Sequence, residues 1–129
     1  MSKIIETMQS LPDFCPGKGA DAEEIEDAET QLGLVFADEY REYVKAFGDA
    51  SVDGHELTGI TESKRINVVE ATIAERRRNP DVPESLYVVE QTHVDRIVVW
   101  QDHAGRIYQT IPGSMPVKVH ETLSEYLSS

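Results

Sequence analysis

The sequence predicts an α+β domain with helices at both ends of the chain and strands between them. Apolar residues recur at helical spacing in segments 21–33, 37–48 and 67–80, and again toward the C-terminus. Residues 86–111 instead carry three short runs rich in Val, Ile, Tyr and Trp, separated by turn residues. The chain has 129 residues, enough for one domain (1–129) to bury a core without metals or disulfides.

Residues 1–10, MSKIIETMQS, read as the start of an amphipathic helix. They lack the long apolar stretch and small-residue cleavage site of a signal peptide, so the expected location is the cytoplasm. No apolar run approaches the roughly 18 residues that span a bilayer. Residues 11–20, LPDFCPGKGA, hold two prolines and two glycines and are expected to form a loop. Cys15 is the only cysteine, which excludes an intramolecular disulfide and a Cys-rich metal site. The sequence brings no base to activate it, so it is read as a packed or loop thiol.

Asp21 is placed to cap the next helix, with Glu24 three residues on as its capping-box partner. Ile25, Ala28 and Leu32 fall on one face, and Gly33 supplies the stop. Acids in the first turn suit the positive end of the helix dipole. The others are expected on a solvated outer face. In ADEYREYVKAFG, Tyr40, Tyr43, Val44 and Phe47 lie at i, i+3, i+4 and i+7, an apolar stripe that predicts core, and Gly48 ends the helix.

Asp53-Gly54 is a strong turn signal, expected to lead out of the tyrosine helix into a strand at His55–Gly59. The helix over 67–80 turns Val69, Ile73 and Val68 inward and ends in Arg76, Arg77 and Arg78. Cations in a last turn answer the negative end of the dipole, so they do not by themselves indicate nucleic-acid binding. Strands follow at LYVVEQ, RIVVWQ and GRIYQTI, the last two joined by a hairpin at Asp102–Gly105. Ile97–Trp100 is apolar on both faces and should be a central strand covered on both sides. After Pro112, Gly113 and Pro116, a last helix over 119–129 is expected to dock Leu123, Tyr126 and Leu127.

The chemistry is sparse. There is no phosphate-binding glycine loop, no dinucleotide fingerprint, no H-E-x-x-H and no G-x-S-x-G. In SVDGHELTG, residues 51–59, Asp53, His55 and Glu56 could bind metal or move protons. Strand alternation sends His55 and Glu56 to opposite faces. Asp53 and His55 would need a third ligand such as His93, His103 or Asp102. The reading is therefore non-enzymatic, with no catalytic residue, metal or cofactor assigned; a small metal-dependent hydrolase is kept as an alternative.

Charge points elsewhere. Twenty-four acids against twelve bases give −12, beyond the magnitude of about 2–8 that suffices for solubility. Such a surface repels nucleic acid and anionic membrane and attracts basic partners.

The order of segments resembles the SUKH superfamily, which includes fungal cell-wall-synthesis regulators and bacterial immunity proteins. AEEIEDAETQLGLVFADEYREYVKAFGDASVDG looks like its acidic helix, LG step and tyrosine helix closing on a glycine turn. HELTGI, NVVEATIAERRRNPDVPESLYVVEQ, VDRIVVWQDHAGRIYQ and TLSEYL are similar to the elements that follow, so the likeness runs from Ala22 to Leu127. One departure is Ala37, where the family usually has proline ahead of the tyrosine helix; alanine also tolerates that position. The resemblance implies a curved, mostly antiparallel sheet packed with helices. In bacteria it implies a protein that neutralises a cognate toxin domain, often a nuclease or deaminase, and in fungi a regulatory or scaffold role. An acidic inhibitor suits a basic, phosphate-binding cleft. The expected contacts are exposed acids on loops beside the sheet: Asp49, Asp53, Glu56, Glu62, Asp95 and Asp102. The acidic helix at 21–32 is the rival surface.

Overall fold

The computed structural model describes residues 3–129; Met1 and Ser2, part of the expected N-terminal helix, lie outside the described residues. That helix is α1 (Lys3–Ser10), with Ile4 and Met8 buried. The capping signals downstream hold. In α2 (Ala22–Leu32) the Asp21 side chain accepts from the Glu24 N–H, and the Glu24 side chain accepts from the Asp21 N–H. Gly33 closes the helix at φ 68, a left-handed position that suits glycine. Ala37, in the place of the family's proline, is the N-cap residue of α3 (Asp38–Phe47) and lends no side-chain bond. Its N–H is held instead by the Tyr87 hydroxyl at 3.0 Å.

Seven strands form one sheet in which spatial order equals chain order and every neighbouring pair is antiparallel. They are β1 (Cys15–Pro16), β2 (Ala50–Val52), β3 (His55–Leu57), β4 (Tyr87–Gln91), β5 (Val98–Gln101), β6 (Ile107–Thr110) and β7 (Val117–His120). Two helices complete the α+β fold: α4 (Val68–Arg78) between β3 and β4, and α5 (Leu123–Ser128) at the end. Val99 of β5 faces the large core, while Val98 and Trp100 face a smaller one with Ala71, Val82, Leu86 and Val88. The central strand is thus covered on both sides, as its unbroken apolar run predicts. Both sheet edges are guarded. β1 is two residues long and ends in Pro16, and β7 carries Lys118 and an irregular register against β6.

Three expectations change. Residues 11–20 are not all loop, since Cys15 and Pro16 pair with Ser51 and Ala50; Cys15 is exposed. Asp53-Gly54 is not the exit from α3 but the two-residue turn of a β2–β3 hairpin, with φ of 49 and 82 at its centre. Both positive values fit a type I′ turn, whose twist matches the strands it joins. The segment after Pro116 begins as a strand: Val117-Lys118-Val119-His120 pairs with β6, and Thr122 caps α5 only at Leu123. Its β-branched residues favour the pleated surface over a helical turn.

α3 is fastened to the sheet by phenols. Tyr40, Tyr43 and Tyr87 are fully buried and pack ring against ring with Phe36. Each hydroxyl then needs a partner in the dry interior. Tyr43 donates to the Thr58 carbonyl at 2.7 Å, Tyr40 pairs with the Thr58 hydroxyl at 2.9 Å, and Tyr87 donates to Gln101 at 2.8 Å. Burial pushes all three phenols well above their ordinary pKa, so they stay neutral donors. Tyr43→Phe strips the Thr58 carbonyl of its partner. It should lower stability by about 1–3 kcal/mol, read as a shift in the urea midpoint with an unchanged slope.

Candidate protein-binding groove

Two of the six loop acids, Asp49 and Glu62, meet acids of α2 in a groove between α2 and the 60–70 segment, with a volume of about 790 Å³. Its floor is backbone. The Gly17 N–H donates to Asp49 O, the Ile60 N–H to Gly48 O, and the Val68 N–H to Gly59 O, all at 2.8 Å. A Cβ on Gly59 would lie 2.0 Å from Gly48 O, and one on Gly48 would lie 2.0 Å from Lys18 O, so the strands of chain cross too closely for any side chain. Asn67 fixes the second wall. Its Oδ1 accepts from the Val69 and Glu70 N–H groups, capping α4, while its Nδ2 donates to Thr61 O at 2.9 Å.

Five carboxylates line this groove: Glu24 and Asp27 from α2, Asp49 from the floor, and Glu62 and Glu70 from the opposite wall. Lys18 and Lys64 are the only cations among the lining residues. Glu24 is occupied in the capping box and Asp27 accepts from Gln31. Asp49, Glu62 and Glu70 enter no ion pair among the described residues. They are available to a cationic partner.

The six loop acids therefore separate. Asp49 and Glu62 lie in the groove. Asp53, Glu56 and Asp95 sit at the other end of β2 and β3, by the Asp53-Gly54 turn and the β4–β5 loop. Asp53 and Asp95 are exposed, while Glu56 is half-buried and held by both terminal nitrogens of Arg65. The guanidinium keeps its carboxyl below the ordinary range. Asp102 is a correction: it is 8% exposed. Its oxygens accept from the Arg106 N–H, the Arg106 Nε–H and the Tyr108 hydroxyl, each at 2.9 Å, so it clamps the β5–β6 hairpin.

Glu29 corrects the reading of α2 as solvated throughout its later turns. It is 8% exposed and accepts from the Phe36 N–H and from Arg41 Nε and Nη2. The arginine run is likewise structural in part. Arg76 donates to Glu84 O at 2.6 Å, and Arg78 pairs with the buried Glu75. His55 meets Glu90 across the sheet, with its Nδ1 2.9 Å from Oε1. Among the described residues no three His, Cys, Asp or Glu side chains are grouped to hold a metal ion, and no helix is long and apolar enough to cross a membrane.

The family model described as "SMI1-KNR4 cell-wall", of SUKH type, matches residues 1–128. The chain belongs to the SUKH family. The fold is shared with a solved structure. A crystal structure of a protein from Pseudomonas syringae pv. tomato matches with a TM-score of 0.73 at 14% identity. It covers 100% of this chain and 96% of its own. That identity speaks for the fold alone. No curated protein matches the chain. Within this SUKH domain the groove depends on its glycine crossing. Gly59→Ala should cost about 3 kcal/mol, seen as a lowered Tm, whereas Gly54→Ala, which meets no atom within 4 Å, should cost less through its positive φ alone.

Proposed function

We propose that this protein is a non-enzymatic, intracellular binding module of immunity type, which neutralises a cognate toxin domain by covering its basic active-site cleft. The observation that carries the reading is the groove, where five carboxylates converge from two walls and a floor in a chain of net charge −12. A nuclease must present cations to phosphates, and those cations complement this surface. Long-range attraction then speeds encounter and rejects acidic partners. Family membership supports an immunity-like or regulatory module, and SUKH proteins act through protein–protein interaction. The proposed site takes part of each rival surface, Glu24 and Asp27 from the acidic helix and Asp49 and Glu62 from the loops, and leaves Asp53, Glu56, Asp95 and Asp102 outside it.

A second reading keeps the surface and changes the partner: a regulatory module for cell-wall synthesis, favoured by the family description. Co-expression with a toxin encoded beside the gene separates the two. Rescue of growth supports immunity; no rescue and no complex at low salt contradicts it. The groove is tested by charge reversal. Asp27→Lys with Glu62→Lys should weaken the complex by about tenfold or more, roughly 1.4 kcal/mol. Asp53→Lys with Asp95→Lys should leave affinity within about twofold. The opposite ranking in a titration calorimeter would move the interface to the turn end of the sheet.

A further inference from the structure

Glu90 of β4 is a carboxylate only 5% exposed, and two elements, β3 and α5, converge on it. Its Oε1 lies 2.9 Å from His55 Nδ1 of β3 and also accepts from the Tyr126 hydroxyl of α5. Its Oε2 accepts from the Glu56 N–H at 3.1 Å. The Tyr126 ring covers the pair, 5.1 Å from the His55 ring and 5.9 Å from that of His120 on β7. We infer that His55, Glu90 and Tyr126 form a proton-operated latch that holds the C-terminal helix on the sheet when His55 is charged and loosens it when His55 is neutral.

A lone anion buried this far is costly, and a paired one much less so. His55 is the only cation that reaches Glu90 within ion-pair distance among the described residues. With His55 protonated, Tyr126 covers a neutral pair and its ring faces an imidazolium, a favourable contact. With His55 neutral, the same docking seals a carboxylate whose charge is held by hydrogen bonds alone, and lifting the last turn of α5 exchanges the Tyr126 hydroxyl for water. The remaining charged groups nearby are Asp53, across the β2–β3 turn, and Glu56, which is committed to Arg65. His120 touches Tyr126 and not Glu90. The His55 side chain keeps 24% of its surface exposed, so protons exchange without unfolding. At the other end of α5, Glu39 accepts from the Leu123 and Ser124 N–H groups, a fixed anchor about which the last turn can lift.

The sign follows from the imidazole. The hydrogen bond to Glu90 raises the His55 pKa and outweighs the burial that opposes it. A raised histidine stabilises fully below about 6.5, its unfolded value, and that contribution is lost as pH climbs through the folded value. This latch is independent of which partner the groove takes.

Amide hydrogen exchange of α5, corrected for intrinsic rates and referred to core amides of β4 and β5, tests it from pH 6 to 9. The expected result is a several-fold fall in relative protection of α5 as pH rises. His55→Gln should be pH-independent at the wild-type high-pH level. Glu90→Gln, isosteric and uncharged, should be pH-independent at or above the low-pH level. A flat wild-type profile overturns the inference. So does an equal loss in β4 and β5, or a wild-type slope surviving in Glu90→Gln. Should His55→Gln fail to fold, the wild-type and Glu90→Gln profiles decide the matter between them.

Discussion

Three tyrosine hydroxyls that must be satisfied inside a dry core organise this fold. Tyr40 and Tyr43 come from α3 and Tyr87 from β4, and their partners, at Thr58, Ala37 and Gln101, belong to three other segments. Hydrophobic burial would tolerate many rotations of α3 over the sheet; hydrogen bonds with defined directions do not. Once α3 is fixed, so is its end at Gly48, where Lys18 O and the Gly59 backbone close in. The glycine crossing beside Asp49 is thus tied through α3 to the phenol network.

The same economy governs the carboxylates. Glu29, Glu75, Glu90 and Asp102 are all buried, and each accepts from several donors that no helix or strand ladder serves. Half-buried Glu39 does so for the α5 N-terminus. These acids do structural work and cannot also meet a partner. Part of the exposed remainder lines the groove, where five carboxylates outnumber Lys18 and Lys64. The acids thus divide into buried ones that serve the fold and exposed ones that leave the surface negative.

Much of this was legible in the sequence, for physical reasons. The Asp21–Glu24 capping box, the Gly33 stop, the tyrosine stripe and the doubly apolar β5 run are local patterns set by neighbours in sequence. The Ala50–Val52 strand was hidden because three residues carry too little periodicity, and Val117–His120 because a terminal amphipathic reading absorbed it. The burial of Asp102 and Glu29 is not legible because it depends on which donors the folded chain turns toward them, such as the Tyr108 hydroxyl and the Phe36 N–H. The groove drew on both rival surfaces because Asp49 and α2 come together only through the glycine crossing. Gly17, Gly19, Gly48 and Gly59 were a visible signal of close backbone approach, although their pairing was not.

In the proposed complex the partner covers the acidic groove. Hydrogen exchange of the protein with and without its bound partner reads this directly at backbone resolution. New protection is expected in the exposed turn of α2 and across residues 60–70, with the Asp53-Gly54 turn and the β4–β5 loop unchanged. Protection confined to those two turns, with the groove amides unaffected, rules this interface out.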